Sequence, residues 1–248
     1  MKNILVSLSL LITLTLSAQQ GLVVQANDFY SQEKYEEAIA LYDSVINAGE
    51  TSAELYYNMG NAHYKLGDIA QCILFYERAL QLSPNDADIA YNLELVQQHV
   101  VDEIETVDEF FLKRLIRSIS VSNSSDVWAK TSIISFCIAL AFLLVFFMVR
   151  ISIIKKISFS LSIVVFLFSM LSLSFSNKNK KDITSHDSAI VISPTVTVKS
   201  SPNENGTQIF VLHEGTKVQI TDRLGEWVEI MLSDGNKGWM MTNTIEEI

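Results

Sequence analysis

Hydrophobic and polar residues are patterned differently in four stretches of this chain. At the start, one charge at Lys2 precedes an apolar run from Ile4 to Leu16 and a small-residue end at Ser17-Ala18; this layout predicts a secretory signal peptide over residues 1–18. From Leu22 to about Val101, aromatic and small residues recur at helical spacing and predict paired helices. Two runs, Val127–Val149 and Ile157–Phe175, have no polar face, and each is near the ~20 residues a helix needs to cross a hydrocarbon core. They predict transmembrane helices at 127–149 and 157–175. From Ala189 onward the pattern breaks into short β-branched runs: Ala189–Ile192, Val196–Lys199, Ile209–Leu212, Lys217–Thr221, Trp227–Leu232 and Gly238–Met241. Turn signals at Ser201-Pro202-Asn203, Glu214-Gly215, Leu224-Gly225 and Ser233–Asn236 separate them, so five or six strands of a small barrel are expected.

Charge placement sets the expected topology. Arg150, Lys155 and Lys156 lie between the two apolar runs, Trp128 and Lys130 suit the interface where the first begins, and Asn177–Lys181 closes the second with lysines. The basic residues of the loop and of the outer flanks do not decide orientation by themselves. The signal peptide does: it places the soluble parts outside the cytoplasm, in the periplasm of a bacterium, with both ends of a two-span hairpin at the inner membrane.

Composition narrows the chemistry. Charged residues make up only 19% of the 248 positions, and the mean hydropathy is +0.26, as expected when apolar residues are gathered into spans. The formal net charge of −10 argues against a nucleic-acid partner and suits protein partners. Cys72 and Cys137 fall in different phases and are not expected to pair; His63, His99, His186 and His213 have no metal-ligand spacing. No cofactor, no metal and no catalytic residues are expected, because no nucleophile–base set, carboxylate pair or phosphate loop is present in the sequence.

Self-comparison at an offset of 34 residues aligns Tyr30 with Tyr64, Ala38 with Cys72, Tyr42 with Tyr76, and Tyr57-Asn58-Met59 with Tyr91-Asn92-Leu93. Thirty-four is the tetratricopeptide (TPR) period. Ala53–Pro84 resembles a full TPR, with Tyr56, Gly60, Gly67, Cys72, Tyr76, Ala79 and Pro84 in place. Small residues at Gly60, Cys72 and Ala79 would let two helices approach closely. Leu22 to about Asn47 is a degenerate first repeat, and Ala87 to about Val101 reads as one capping helix. First helices of TPR pairs line a concave groove, so Asn27, Tyr30, Tyr57, Asn58, Asn61, Tyr64, Tyr91 and Asn92 are the expected protein-binding residues. Packing between helices is the competing role for each.

Five carboxylates between Asp102 and Glu109 precede Phe110, Phe111, Leu112, Leu115, Ile116 and Ile119, which alternate with Lys113, Arg114 and Arg117. This predicts a short amphipathic helix at the lipid surface, with Lys113, Arg114, Arg117 and Trp128 as membrane-interface residues; packing on the last TPR helix is the alternative.

The C-terminal runs resemble bacterial SH3 domains through Val196–Pro202, His213–Val218, Glu226–Ile230 and Gly238-Trp239-Met240. Trp227 and Trp239 are the candidate ligand-binding residues, with barrel support as the competing role. The expected architecture is therefore multidomain: an α-helical TPR solenoid, a two-helix transmembrane hairpin and a small all-β SH3-like barrel. Its divisions are a signal peptide (1–18), a TPR module (19–101), an acidic linker with interfacial helix (102–125), two spans (126–176), a linker (177–187) and the SH3-like domain (188–248).

This order of modules resembles the TPR/SH3 membrane proteins of the Bat family of Bacteroides aerotolerance operons. The resemblance implies a cell-envelope component working beside other membrane-anchored proteins in stress tolerance. A non-enzymatic scaffold is the expected function, with protein partners and the lipid bilayer as contacts. A sensor that reads peptidoglycan peptides through the SH3-like domain is the alternative.

Overall fold

A computed structural model describes residues 21–104, 110–185 and 187–248. The expected signal peptide, most of the acidic stretch before Phe110 and the side chain of Lys113 lie outside the described residues. The chain divides into two compact units, one made of the TPR region together with the C-terminal β-domain, the other of residues 108–185.

In the first unit, α1 (residues 21–31), α2 (Tyr35–Asn47), α3 (Ala53–Leu66), α4 (Ile69–Leu82) and α5 (Ala87–Gln97) pack consecutively. Side-chain caps start three of them. Ser52 accepts the Leu55 N–H at 3.1 Å, Asp68 accepts that of Gln71 at 3.3 Å, and Asp86 accepts those of Asp88 and Ile89. Gly67, at φ 79°, closes α3 in the left-handed conformation. The small-residue argument holds at Gly60, where a Cβ would stand 2.6 Å from Cδ1 of Tyr76. Only glycine lets α3 meet α4 at this distance.

Seven strands form one antiparallel sheet in the order β3-β2-β6-β5-β4-β1-β7: β1 (Ser188–Val191), β2 (Thr195–Lys199), β3 (Gln208–His213), β4 (Lys217–Leu224), β5 (Trp227–Met231), β6 (Lys237–Met241) and β7 (Ile245–Glu247). The seventh strand, three residues long, was too short for the expected pattern. Alternation places Val196, Val198, Val228, Ile230 and Met240 in the β core, while Trp227, Glu229, Trp239 and Met241 stand on the other face.

The helical repeats and the sheet share a core. Ile190 and Ile248 are buried among Cys72, Ile73, Leu93 and Val96 of the helices. In β1, Ala189, Ile190 and Val191 are all fully buried, which marks a strand covered on both faces. Burying a side chain such as Ile190 stabilises by roughly 1.5–3 kcal/mol. Around this apolar seam, Lys217 pairs with Glu77 at 2.7 Å, and Glu246 accepts from Gln71 at 2.8 Å and Arg78 at 3.2 Å.

α5 stops at Gln97, not near Val101 as the sequence pattern predicted. The physical reason lies in the next residues, which leave the helix axis to serve the β-domain. Val100 packs over Gly215, whose added Cβ would stand 2.9 Å from Val100 Cγ2, and Ile104 packs on the β core. Between them, Asp102 accepts hydrogen bonds from the His213 N–H (2.6 Å) and the Thr216 hydroxyl (2.7 Å), with His213 Nδ1 at 2.8 Å. Residues 100–104 are thus a strap across the β3–β4 turn. Gly215 is required twice, for φ 85° and for the close approach of the strap.

The second unit contains α6 (Phe111–Val121), α7 (Ser125–Met148) and α8 (Ser152–Thr184), and the last two are long and apolar enough to cross a membrane. They are antiparallel partners joined by serines. Ser132 and Ser169 each donate to the other's carbonyl, at 3.0 and 2.9 Å; Ser125 and Ser176 do the same at 3.1 and 3.0 Å; Ser162 donates to the Ala139 carbonyl at 2.9 Å. These contacts fall on every seventh residue of each helix, the repeat of a left-handed coiled coil. In lipid, where apolar surface gives no drive to associate, small side chains and interhelical hydrogen bonds hold helices together.

Candidate binding surfaces

The TPR surface is built by pairs of residues that repeat with the helices. The Tyr42 hydroxyl donates to Asn27 Oδ1 at 2.6 Å, and one period later the Tyr76 hydroxyl donates to Asn61 Oδ1. Each bond ties the second helix of a repeat to the first. Burial raises the hydroxyl pKa of both tyrosines, that of Tyr42 to about 12, so both remain donors at neutral pH. Asn58 donates to the same Asn27 oxygen at 3.3 Å, and the Asn92 amide donates to the Tyr57 hydroxyl. Tyr57 in turn stacks on Tyr76, with ring centroids 5.5 Å apart.

Of the eight expected groove residues, Asn27, Asn58, Asn61, Tyr57 and Asn92 therefore carry internal bonds that shape the surface. Tyr91 is 66% exposed. Tyr64 is half-buried, edge-on to His99 at 6.4 Å. A cavity of about 260 Å³ opens between Asn27, Tyr30, Tyr42 and Asn58. It joins expected residues of α1 and α3 with one from α2, Tyr42, that the groove pattern did not single out. The amide and phenol groups there offer both donors and acceptors to an extended backbone.

On the β-domain, Trp227 pairs across strands with Met241, and Trp239 with Glu229. Both tryptophans are half-buried and stand on the face away from the β core. Lys199, the register partner of Trp239, extends its ammonium over the Trp227 ring at 5.4 Å from the centroid. A hollow of about 350 Å³ lies among Thr195, Thr197, Lys199, Glu204, Trp227 and Met241. It offers an aromatic wall, a cation and hydroxyl groups.

Cys72 is fully buried, and desolvation pushes its thiol up to about 12, which makes it a packing residue. Cys137 is exposed on α7. Asp102 is the polar residue that sequence patterning missed, having been counted with the acidic linker. Burial would raise its carboxyl pKa, but hydrogen bonds from the His213 side chain and N–H and from Thr216 outweigh that and hold it below the ordinary value of 3.8. Nothing in the spacing of the chain connects Asp102 to His213. For Ile190 a signal was available, since the unbroken apolar triple Ala189-Ile190-Val191 departs from the alternation of a half-exposed strand.

Residues 26–67 match the TPR repeat family and residues 53–86 the tetratricopeptide repeat family, while residues 194–246 match the bacterial SH3 domain. The chain carries TPR repeats and a bacterial SH3 domain in one polypeptide. Among curated proteins it is similar to Tetratricopeptide repeat protein 16 of Homo sapiens, 32% identical over 85 residues, covering 33% of this chain and 10% of the relative. The Mus musculus protein of the same name is 28% identical over 111 residues, 41% of this chain and 14% of the relative. Rhomboid protease GluP of Bacillus subtilis (strain 168) is 30% identical over 78 residues, 32% of this chain and 15% of the relative. The chain thus spans only 10% to 15% of the length of these relatives.

Proposed function

We propose that this chain is a non-enzymatic, membrane-anchored scaffold of the bacterial cell envelope. It binds protein partners through the TPR groove and the SH3 domain, and works in an aerotolerance or envelope-stress assembly of the Bat type. The observation that carries this reading is the joining of two binding modules in one compact unit, on a chain that also holds two helices long enough to span a bilayer. The hairpin would sit in the inner membrane with both modules in the periplasm. The Tyr30–Asn58 cavity and exposed Tyr91 supply donors, acceptors and apolar area for a peptide segment of a neighbouring membrane-anchored protein. Holding partners against one shared body raises their effective concentration.

A second reading, a sensor of peptidoglycan peptides, is favoured by the hollow beneath Lys199 and Trp227, where an ammonium and an aromatic face could take a peptide carboxylate and its apolar stem. One experiment separates the two. Full-length protein is crosslinked in native membranes and recovered beside a Tyr30→Ala/Asn58→Ala/Tyr91→Ala variant and a Trp227→Ala variant. The scaffold reading predicts one discrete envelope protein that the TPR variant loses while remaining folded. Recovery of peptidoglycan fragments, lost only with Trp227→Ala, supports the sensor instead.

A further inference from the structure

Helix α6 belongs to the unit that contains the apolar hairpin, and its surface is divided in two. At 100° per residue, Phe111, Leu112, Leu115, Ile116 and Ile119 fall within one arc, and Lys113, Arg114 and Arg117 centre on the opposite side. The apolar arc is open: Phe111 is 73% exposed and Ile116 47%. A stretch of this kind left to move freely would expose its phenylalanines at random, but α6 is fastened. Ser120 is fully buried, its hydroxyl donating to Asn179 Oδ1 at 3.0 Å and its carbonyl accepting from Asn179 Nδ2 at 2.8 Å. The same carbonyl accepts the Trp128 indole N–H at 2.9 Å, and Asn179 Nδ2 also reaches the Asn123 carbonyl at 3.0 Å. Trp128 stands edge-on to Phe175 at 5.2 Å. One cluster thus joins α6, the first turn of α7 and the part of α8 beside Lys178, at the level where the hairpin's apolar surface ends.

We infer that α6 is an in-plane anchor for a bilayer surface bearing anionic headgroups. Its apolar arc is sunk at the acyl boundary, its arginines lie at phosphate level, and the Ser120–Asn179–Trp128 cluster fixes its angle to the hairpin. Continuity with the apolar surface of α7 and α8 selects lipid over a protein groove as the occupant. The basic arc, with Lys178, Lys180 and Lys181 following on α8, selects anionic over zwitterionic headgroups. This rests on the membrane anchoring proposed above and adds what the segment before the first span does there.

The test uses the full chain with Cys137→Ser in proteoliposomes of phosphatidylcholine alone or mixed with phosphatidylglycerol. Spin labels are placed singly at Ile116→Cys, Arg117→Cys and Leu144→Cys, and their collisions with oxygen and with a water-soluble nickel chelate are measured. Cys72 is buried and takes no label. The Leu144 label reports insertion of the hairpin independently. In the anionic membrane the Ile116 label should be reached by oxygen and shielded from nickel, and the Arg117 label the reverse. Arg114→Gln should shift α6 toward water by on the order of fivefold there, and far less in phosphatidylcholine. Asn179→Ala should loosen the Ile116 label without moving that at Leu144. If the Ile116 label meets nickel freely while Leu144 stays in lipid, the inference fails and the anchoring stands. Shielding of Ile116 from both reagents means protein covers the arc, and equal behaviour in both membranes removes the anionic preference; either result overturns the inference as stated.

Discussion

At Asp102 three donors converge on one carboxylate that side-chain packing has removed from most of the solvent. Such bonds favour the charged form, so the folded pKa lies below the unfolded one. The sign of the linkage follows: Asp102 contributes stability in full above about pH 4, and loses it as pH falls through the lowered folded value. Bonds to a charged acceptor contribute roughly 1.5–3 kcal/mol in total at such a site. Asp102→Asn keeps the shape but exchanges a charged acceptor for an amide. Urea unfolding of the full chain in mild detergent should show the variant destabilised by about 2 kcal/mol at pH 7 and converging on the wild type as pH falls through the lowered folded value. A gap that persists unchanged into acid would mean that something other than the carboxylate's charge holds the strap.

Most elements in this chain obey their sequence patterns, although α8 continues past its apolar run to Thr184, through residues expected as a linker that hold no glycine or proline to stop it. The first six strands, the TPR helices and the two apolar helices follow directly from period and turn chemistry. The end of α5 does not, because Val100, Asp102 and Ile104 are claimed by a β-turn more than 100 residues away, beyond what local periodicity can register. For the candidate groove, the repeat period marks the tyrosines and asparagines as positions, whereas the bonds of Asn27 to Tyr42 and Asn61 to Tyr76 appear only when the helices are packed. The serine seam was likewise hidden, since serine at every seventh position has no hydrophobic signal. Its energetic contribution divides by role. Ser132→Ala removes bonds worth on the order of 0.6 kcal/mol each in a membrane and should leave the hairpin closed. Ser169→Leu pushes bulk into a position only 5% exposed and should separate α7 from α8. Distances between labels at the exposed positions Ile134 and Met170, with Cys137→Ser, check this: no change with Ser132→Ala, a longer and broader distribution with Ser169→Leu.

For the whole molecule, the central consequence is that the TPR repeats and the SH3 domain are one folded body. Sequence boundaries at 101 and 188 separate them, but Ile190 and Ile248 complete the helical core, and the strap completes the β-domain. The seam is apolar at its centre and ringed by Lys217–Glu77 and Arg78–Glu246. Partners taken by the two proposed binding surfaces would therefore meet a fixed frame, not two independently swinging modules. Hydrogen exchange of the full chain in detergent, under mild denaturant, resolves α4 and β4 separately and tests this most directly. A single body predicts that both open with the same free energy and that Ile190→Asp lowers both together. Opening of β4 at its own midpoint, with α4 unaffected by Ile190→Asp, would contradict it.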